Sequence, residues 1–426
     1  MPEFLQLLPP DEARSLLFSR LASVQPKVEE VETRSSLGRV TAEAVAAPHA
    51  LPEFPRSTVD GYAVRSRDTF GATDTQPAYL SLVGEIPMGA SAGLRIEARQ
   101  CAIIHTGGML ADGADAVVML EHTQIVARLG ERADMPGEIE VLRAAAMGEN
   151  TIAMGEDVAA GSVVVPAGRR MRPAEVGGLM ALGILRLRVT ARPRVGLISS
   201  GDEVVEPGQR PQPGQVRDVN AYSLAALIDG HGGAAVRYGI VPDDQTKLRS
   251  VAAQALAECD AVIITAGSSA STRDMTAEVI QALGQPGVLV HGINTRPGKP
   301  TILGVCDGKA VIGLPGNPVS ALVNGYLFVV PLVERLLGMA DAGARPSVMA
   351  RLTVNLPSQA GREDWWPVRL TAARGTATGA PAHWDAEPIF GKSNLIFTLA
   401  AADGLLRIPP DATGLAAGEL VEVYLL

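Results

Sequence analysis

A chain of 426 residues, 47% of them hydrophobic, is long enough for two to four domains with their own cores. Its 37 Lys and Arg against 46 Asp and Glu leave a net charge of -9, which argues against general nucleic-acid binding. Any anionic substrate must then be held by a local cluster of cations.

No uncharged apolar run approaches the roughly 20 residues needed to span a bilayer. Met1-Pro2-Glu3-Phe4 lacks the basic-then-apolar pattern of a secretion signal, so neither membrane nor export is expected. Cys101, Cys259 and Cys306 have no ligand spacing and read as reduced core thiols of a cytoplasmic protein. Few aromatics, 45 Gly and 30 Pro fit α/β layers joined by tight turns.

In chain order, Pro9-Pro10-Asp11-Glu12 starts a helix, with Ala13, Leu16, Leu17 and Leu21 at helical spacing. Leu37 to Ala46 reads as a connecting strand, and Pro48, Pro52 and Pro55 mark a domain edge. From Ser57 short β segments follow around Tyr79 to Val83, Ala102 to Thr106 and Ala116 to Met119, a small β-rich insertion. Asp60-Gly61 and Thr106-Gly107-Gly108 are ordinary turns by default, and His105 is a lone imidazole expected in a core or hydrogen-bonded role. Ser162 to Pro166 reads as a strand. Pro173 starts a helix whose first turn holds Glu175, where the helix dipole favours a carboxylate. This segment is expected to pack with residues 1–50.

From Arg194 to Leu337 strands alternate with Gly/Asp loops and helices: Val195 to Ser199, Ala235 to Ile240, Ala261 to Thr265, Val288 to Ile293 and Ala310 to Leu314. Such alternation predicts a mostly parallel sheet covered on both faces, with ligands at the carboxyl ends of its strands. There lie Ser199-Ser200-Gly201-Asp202-Glu203, Thr265-Ala266-Gly267-Ser268-Ser269 and Pro315-Gly316-Asn317. Together they describe a phosphate- or nucleotide-sized pocket with carboxylates at its rim. Asp218 and Asn220 sit at a helix start, where capping alone accounts for them.

The most informative stretch is Arg296-Pro297-Gly298-Lys299-Pro300, followed by a strand and then Pro315-Gly316-Asn317-Pro318. Asn317 is a natural N-cap and Pro318 a natural first helical residue. Unpaired amides, a positive helix end and two cations would suit an oxyanion or phosphate. After Gly338, Val348 to Leu356, Asp364 to Leu370 and Leu420 to Leu426 alternate as strands of a C-terminal β domain.

These pieces resemble the molybdopterin molybdenumtransferases, the molybdenum insertases that include the C-terminal domain of gephyrin. The matching motifs are Ser57–Val64, Gly84–Gly89, Thr106–Glu121, Gly155–Asp157, Ser200–Glu203, Asp218–Asn220, Pro297–Pro300 and Leu314–Ser320, with weaker echoes at Gly361-Arg362 and Ser393. The resemblance implies four parts. They are a discontinuous mixed α/β domain of residues 1–50 plus 146–188, and an inserted β-rich domain of residues 51–145. A mostly parallel α/β molybdopterin-binding-like domain of residues 189–340 and a C-terminal β-barrel-like domain of residues 341–426 follow.

It also implies molybdenum cofactor biosynthesis by a cytoplasmic homodimer with the active cleft shared between subunits. Molybdate, or tungstate, is inserted into adenylylated molybdopterin with Mg2+ assisting and AMP released. The further partners it points to are the molybdopterin adenylyltransferase and apo-molybdoenzymes.

Residue by residue, the resemblance implies catalytic roles for Asp60, Thr106, Glu175, Asp218, Asp274 and Lys299. Oxyanion contacts would come from Arg296, Lys299, Pro300, Ser320, Arg362 and Ser393. Cofactor contacts would come from Ser200, Gly201, Asp202, Asn220, Gly267, Ser268, Ser269, Gly316 and Asn317, and metal contacts from Asp218 and Asp274. One departure stands out. Where many members carry Gly-Gly-Val-Ser-Val-Gly with Asp and a nearby Lys, this chain has Ala266-Gly267-Ser268-Ser269-Ala270-Ser271, keeps Asp274 and places Ala277 at the Lys position. Pyrophosphate contact there is weakened unless Arg273 replaces the cation. Two other readings compatible with the sequence are a molybdopterin adenylyltransferase and a non-catalytic scaffold binding cofactor or peptide.

Overall fold

Strand Ala261–Ala266 is buried along its whole length, as expected of a strand covered on both faces. In this computed structural model it sits inside a six-stranded sheet whose spatial order is Ala234–Val241, Arg194–Ser200, Ala261–Ala266, Lys309–Pro315, Ile302–Cys306, Pro286–His291. The first four strands are parallel, and Ile302–Cys306 runs antiparallel to both of its neighbours, so the edge strand Pro286–His291 shares the direction of the first four. The sheet is therefore mostly parallel, with one reversed strand next to its edge. Residues 7–21, 25–129, 137–266, 270–342, 345–372 and 384–426 are described. They divide into two compact units.

The larger unit comprises Met1–Glu43, Ala167–Arg172 and Arg186–Leu426. One face of its central sheet packs Leu197, Ile263 and Ile312 against helices Asn220–Gly230 and Pro318–Asn324 and beyond. The other packs Ile198, Ile264 and Val311 against Gln245–Glu258 and Ala270–Leu283. Helix Pro10–Arg20 begins where Pro10 and two acidic residues favour it, and buries Ala13 and Leu17. A second sheet takes Thr295–Arg296, Glu363–Ala372, Trp384–Pro388, Ser347–Leu352, Leu420–Leu425 and Gly404–Ile408 in spatial order. It closes into a barrel because Glu363–Ala372 also pairs with Gly404–Ile408.

Residues Pro318–Leu336 form a helical run of 19 residues that is long and apolar enough, by length and composition, to cross a bilayer. That corrects the expectation of no such run. Its apolar window is 83% buried inside the larger unit, so its side chains are committed to the core. A π-helical turn, Gly325–Val329, interrupts it just before Pro331. Pro331 has no N–H to donate to the preceding turn, and the widened turn accommodates that loss.

The smaller unit comprises Ala44–Pro166 and Pro173–Leu185. Its six-stranded sheet runs Ala116–Met119, Gly61–Val64, Gln100–Ile104, Ala78–Glu85, Gly137–Val141, Thr123–Ala127. Tyr62, Val64, Leu80 and Val118 fill one face, and Ala63, Ile86, Ile104 and Val117 the other. The expected strand over 37–46 is reduced to Val45–Ala46, which pairs with Val163–Val165. In the larger unit, Val28–Glu32 pairs with Arg186–Thr190.

Candidate active site

The turn Arg296–Pro300 is held from both sides. Gly298 has φ +105°, and a Cβ there would lie 1.6 Å from Asn324 Nδ2. Only glycine lets the turn approach this helix so closely. The Asn324 amide donates to the Pro297 carbonyl at 3.2 Å and to the Ser320 carbonyl at 2.8 Å, stitching the turn to the helix. Thr301 Oγ1 donates to the Gly298 carbonyl at 2.8 Å, and the Ile293 N–H donates to the Lys299 carbonyl at 2.8 Å.

Strand pairing brings the second cation in. Thr295–Arg296 lies parallel to the start of Glu363–Ala372, with Arg296 opposite Asp364. The Asn294 side chain donates to the Gly361 carbonyl, and the Glu363 N–H donates to the Asn294 carbonyl at 3.1 Å. Arg362 is thereby fixed beside Arg296.

The third contributor is the loop that ends the barrel strand Trp384–Pro388. The Val319 N–H donates to the Ser393 carbonyl at 3.0 Å, and Asn317 Nδ2 contacts Ser393 Oγ at 3.2 Å. Asn317 is thus the N-cap residue by position, but its side chain does not cap the helix. It holds Ser393 instead.

Arg296, Lys299, Pro300, Ser320, Arg362 and Ser393, all six residues expected around an oxyanion, line one cavity of about 820 Å3. Lys392, Trp365, Trp366 and the buried Asp364 line it too, and none of these was singled out from sequence. Asp364 is 1% exposed. Its Oδ1 lies 3.2 Å from Arg362 Nε, its Oδ2 lies 3.9 Å from Arg296, and Ser358 Oγ donates to Oδ2 at 2.9 Å. The signal available in sequence was a pair of acids, Glu363-Asp364, opening an apolar strand, where carboxylates are buried only with partners. Glu363 finds its own: Trp365 Nε1 donates to it at 2.7 Å, and Arg407 pairs with it at 2.6 Å.

A second cavity, of about 570 Å3, lies at the carboxyl ends of the parallel strands. Ser200, Asp218, Asn220, Gly316 and Asn317 line it; Gly201 and Asp202 are not among its lining residues. Asn317 and Asn394 belong to both cavities. Asp218 accepts from Ser199 Oγ at 2.6 Å and from the Ala221 N–H at 3.1 Å, so it does cap the helix start while facing the cavity. Asn220 Nδ2 donates to the Gly316 carbonyl at 2.9 Å. Asp274 is exposed on helix Ala270–Leu283 and is not among the lining residues. Gly267, Ser268 and Ser269, expected to contact cofactor, lie outside the described residues.

Among the described residues no group of three or more His, Cys, Asp and Glu side chains could hold a metal. Asp218 and Glu203 are the carboxylates that line the second cavity, a donor set of the size that Mg2+ commonly takes when phosphate oxygens and waters complete its shell.

In the smaller unit the structure joins Asp60 and Thr106. The Thr106 N–H donates to Asp60 Oδ1 at 2.8 Å, and its hydroxyl lies 3.3 Å away. The Thr106 N–H is the main reason the Asp60 carboxyl is held below its usual range. His105 is hydrogen-bonded, as expected: Nε2 lies 3.0 Å from Glu85 and Nδ1 3.6 Å from Asp60. Gly61 is no turn residue. It opens a strand, where a Cβ would meet the Val118 carbonyl at 2.0 Å. Glu175, in the first turn of Pro173–Ala181 as expected, lines another cavity of about 570 Å3 with Asp157 and apolar side chains such as Leu179.

Fold and cavities together define a multidomain α/β protein with a cation-lined cavity beside a second one at the carboxyl ends of its parallel strands. The MoeA N-terminal region (domain I and II) matches residues 8–183, a probable molybdopterin binding domain matches residues 196–335, and the MoeA C-terminal region (domain IV) matches residues 349–426. A putative molybdopterin biosynthesis protein of Methanocaldococcus jannaschii is 35% identical, over 99% of this chain and 98% of that one. Molybdopterin molybdenumtransferase 2 of Mycobacterium tuberculosis is 33% identical, over 91% and 92%. The crystal structure of the molybdopterin biosynthesis MoeA protein of Pyrococcus horikoshii OT3 superposes with a TM-score of 0.82 at 31% identity, covering 99% of this chain and 100% of that one. The chain belongs to the MoeA family of molybdopterin molybdenumtransferases, transferases of molybdenum cofactor biosynthesis.

Proposed function

We propose that this chain inserts molybdate, or tungstate, into adenylylated molybdopterin with release of AMP. What carries the reading is the single cavity lined by Arg296, Lys299, Arg362 and Lys392, four cations on a chain of net charge -9. A dianion is the natural occupant of such a cluster. Arg296 and Arg362 offer planar forks of donors, and Lys299 and Lys392 compact charges. Ser320 and Ser393 add hydroxyls.

The neighbouring cavity at the strand ends takes the phosphates, with Ser200, Asn220 and Asn317 positioning them. Asp218 would hold Mg2+, which when bound supplies charge neutralisation at the pyrophosphate. As the anhydride between molybdopterin phosphate and AMP breaks, positive groups already in place stabilise charge on the leaving phosphate. No covalent intermediate is required. The buried thiols offer no nucleophile, since burial pushes Cys101 up to about 12 and Cys306 to about 11.

The same reading has the enzyme work as a cytoplasmic homodimer divided at 1–50 plus 146–188, 51–145, 189–340 and 341–426. Asp60, Thr106 and Glu175 complete a cleft shared between subunits.

Purified protein incubated with adenylylated molybdopterin and either oxyanion, with AMP release and metal retention followed together, tests this. Lys299→Ala is expected to abolish molybdate-dependent AMP release and leave the oligomeric state intact. Wild-type turnover in that variant would overturn the oxyanion site.

A further inference from the structure

The oxyanion cavity contains a carboxylate of its own, which is unexpected in a site built for anions. Asp364 is buried to 1% exposure on the strand that carries the barrel wall, and it faces both arginines. We infer that Asp364 is a positioning residue: it holds the guanidinium groups of Arg296 and Arg362 in the orientation that receives the oxyanion. The inference rests on the reading of the cavity given under Proposed function.

Three observations support it. Asp364 is reached by Arg296 through Oδ2 and by Arg362 through Oδ1, so one carboxylate spans two cations from separate segments, the strand Thr295–Arg296 and the bend that precedes Glu363. Ser358 donates to Oδ2, which fixes the carboxylate plane. The Arg362 contact is close but out of alignment. At 3.2 Å, neither Arg362 Nε nor Asp364 Oδ1 gains a hydrogen bond, and both atoms are buried without another partner.

A pair placed only for stability would be aligned, because leaving buried polar atoms unpaired is costly. Here attraction at 3.2 Å restrains the Arg362 guanidinium without engaging its Nε–H in a hydrogen bond. Arginines drawn toward Asp364 do not have to be ordered when the dianion binds, so less side-chain entropy is lost at that step. The residual charge of the four cations and one carboxylate is still positive, which keeps the site attractive to a dianion.

The test uses tungstate as probe, bound at equilibrium to the full-length protein, alongside steady-state kinetics with molybdate and adenylylated molybdopterin. Asp364→Asn keeps the shape and removes the charge. It is expected to weaken tungstate binding about tenfold, the equivalent of one charge-assisted hydrogen bond. The KM for molybdate should rise in parallel, with kcat falling less and the KM for the organic substrate little changed. Asp364→Glu should recover part of the loss. If Asp364→Asn does not fold, Ser358→Ala, which frees the carboxylate to rotate, should weaken tungstate binding about threefold.

Wild-type tungstate affinity in Asp364→Asn, or in Ser358→Ala where that is the variant available, overturns the positioning role, as does tighter binding. Arg362→Ala separates the two levels of the argument. If it binds tungstate like wild type, the oxyanion reading of the cavity fails. If it binds weakly while the Asp364 variants do not, only the positioning role fails.

Discussion

Replacing Gly298 by Ala attacks the oxyanion turn without touching a charge. The residue has φ +105°, and the new Cβ would fall 1.6 Å from Asn324 Nδ2, 2.7 Å from its Cγ and 3.2 Å from its Oδ1. Two costs add. A left-handed conformation costs an L-residue roughly 1–2 kcal/mol, and displacing Asn324 forfeits its bonds to the Pro297 and Ser320 carbonyls at about 0.5–1.5 kcal/mol each, so about 2–5 kcal/mol in all. Urea unfolding followed by tryptophan fluorescence measures this, since Trp365, Trp366 and Trp384 all lie in the barrel strands of the larger unit. Asn324→Ala removes the obstacle together with the hydrogen bonds. The double variant should therefore be less destabilised than the sum of the single ones, with a coupling of about 1–2 kcal/mol, as expected for residues in contact. AMP release should fall in Gly298→Ala beyond what stability explains, because Lys299 follows directly in the chain. A fully active Gly298→Ala protein within about 0.5 kcal/mol of wild type would refute the close-approach argument.

Phe328 lies fully buried in the π-helical turn, and Phe328→Ala should cost about 3–5 kcal/mol in the same unfolding assay. Burial raises the Cys101 thiol from 9.0 to about 12, so its contribution to stability is complete below pH 9 and is lost as pH rises toward 12. Thermal melts from pH 8 to 11 should show a decline that flattens in Cys101→Ala, whose melting curve is read relative to its own value at pH 8. Thiol titration of the native protein at neutral pH should find all three cysteines slow to react, because all are buried.

The parallel core was legible because its strands are buried on both faces and read as unbroken apolar runs between Gly-rich loops. The missed strand Ile302–Cys306 had a signal that went unused. Asp307 and Gly308 both have positive φ and close a two-residue hairpin, with Cys306 paired to Lys309. Arg296 and Lys299 were legible as cations beside a helix start, whereas Ser320, Arg362 and Ser393 came through the family resemblance. Periodicity alone could not place Arg296 beside Arg362, because their meeting depends on a barrel register between segments far apart in sequence. Asp364 escaped for the same reason: it marked the start of a predicted strand, and only the pairing reveals two arginines against it. Local rules also misassigned Asn317, whose amide serves Ser393 rather than the helix end. Sequence rules identify which groups are free to bond locally; they do not say which distant partner competes for them.

That competition accounts for how the site is assembled. Every cationic residue of the cavity stands on a segment whose backbone is anchored elsewhere. Asn324 anchors the 296–300 turn, Asn294 anchors 361–363, and the Val319 amide anchors the Ser393 loop. The anchors are neutral amides and carbonyls, which add no charge to the cavity and are insensitive to salt. The charged groups are therefore left free of structural duty, apart from the restraint that Asp364 places on the two arginines. A site arranged in this way can lose a cation and keep its shape. The consequence is that Lys299→Ala should change anion affinity strongly and salt-dependently while the unfolding midpoint hardly moves. Asn324→Ala, at the opposite extreme, should lower the midpoint and blunt activity at every ionic strength.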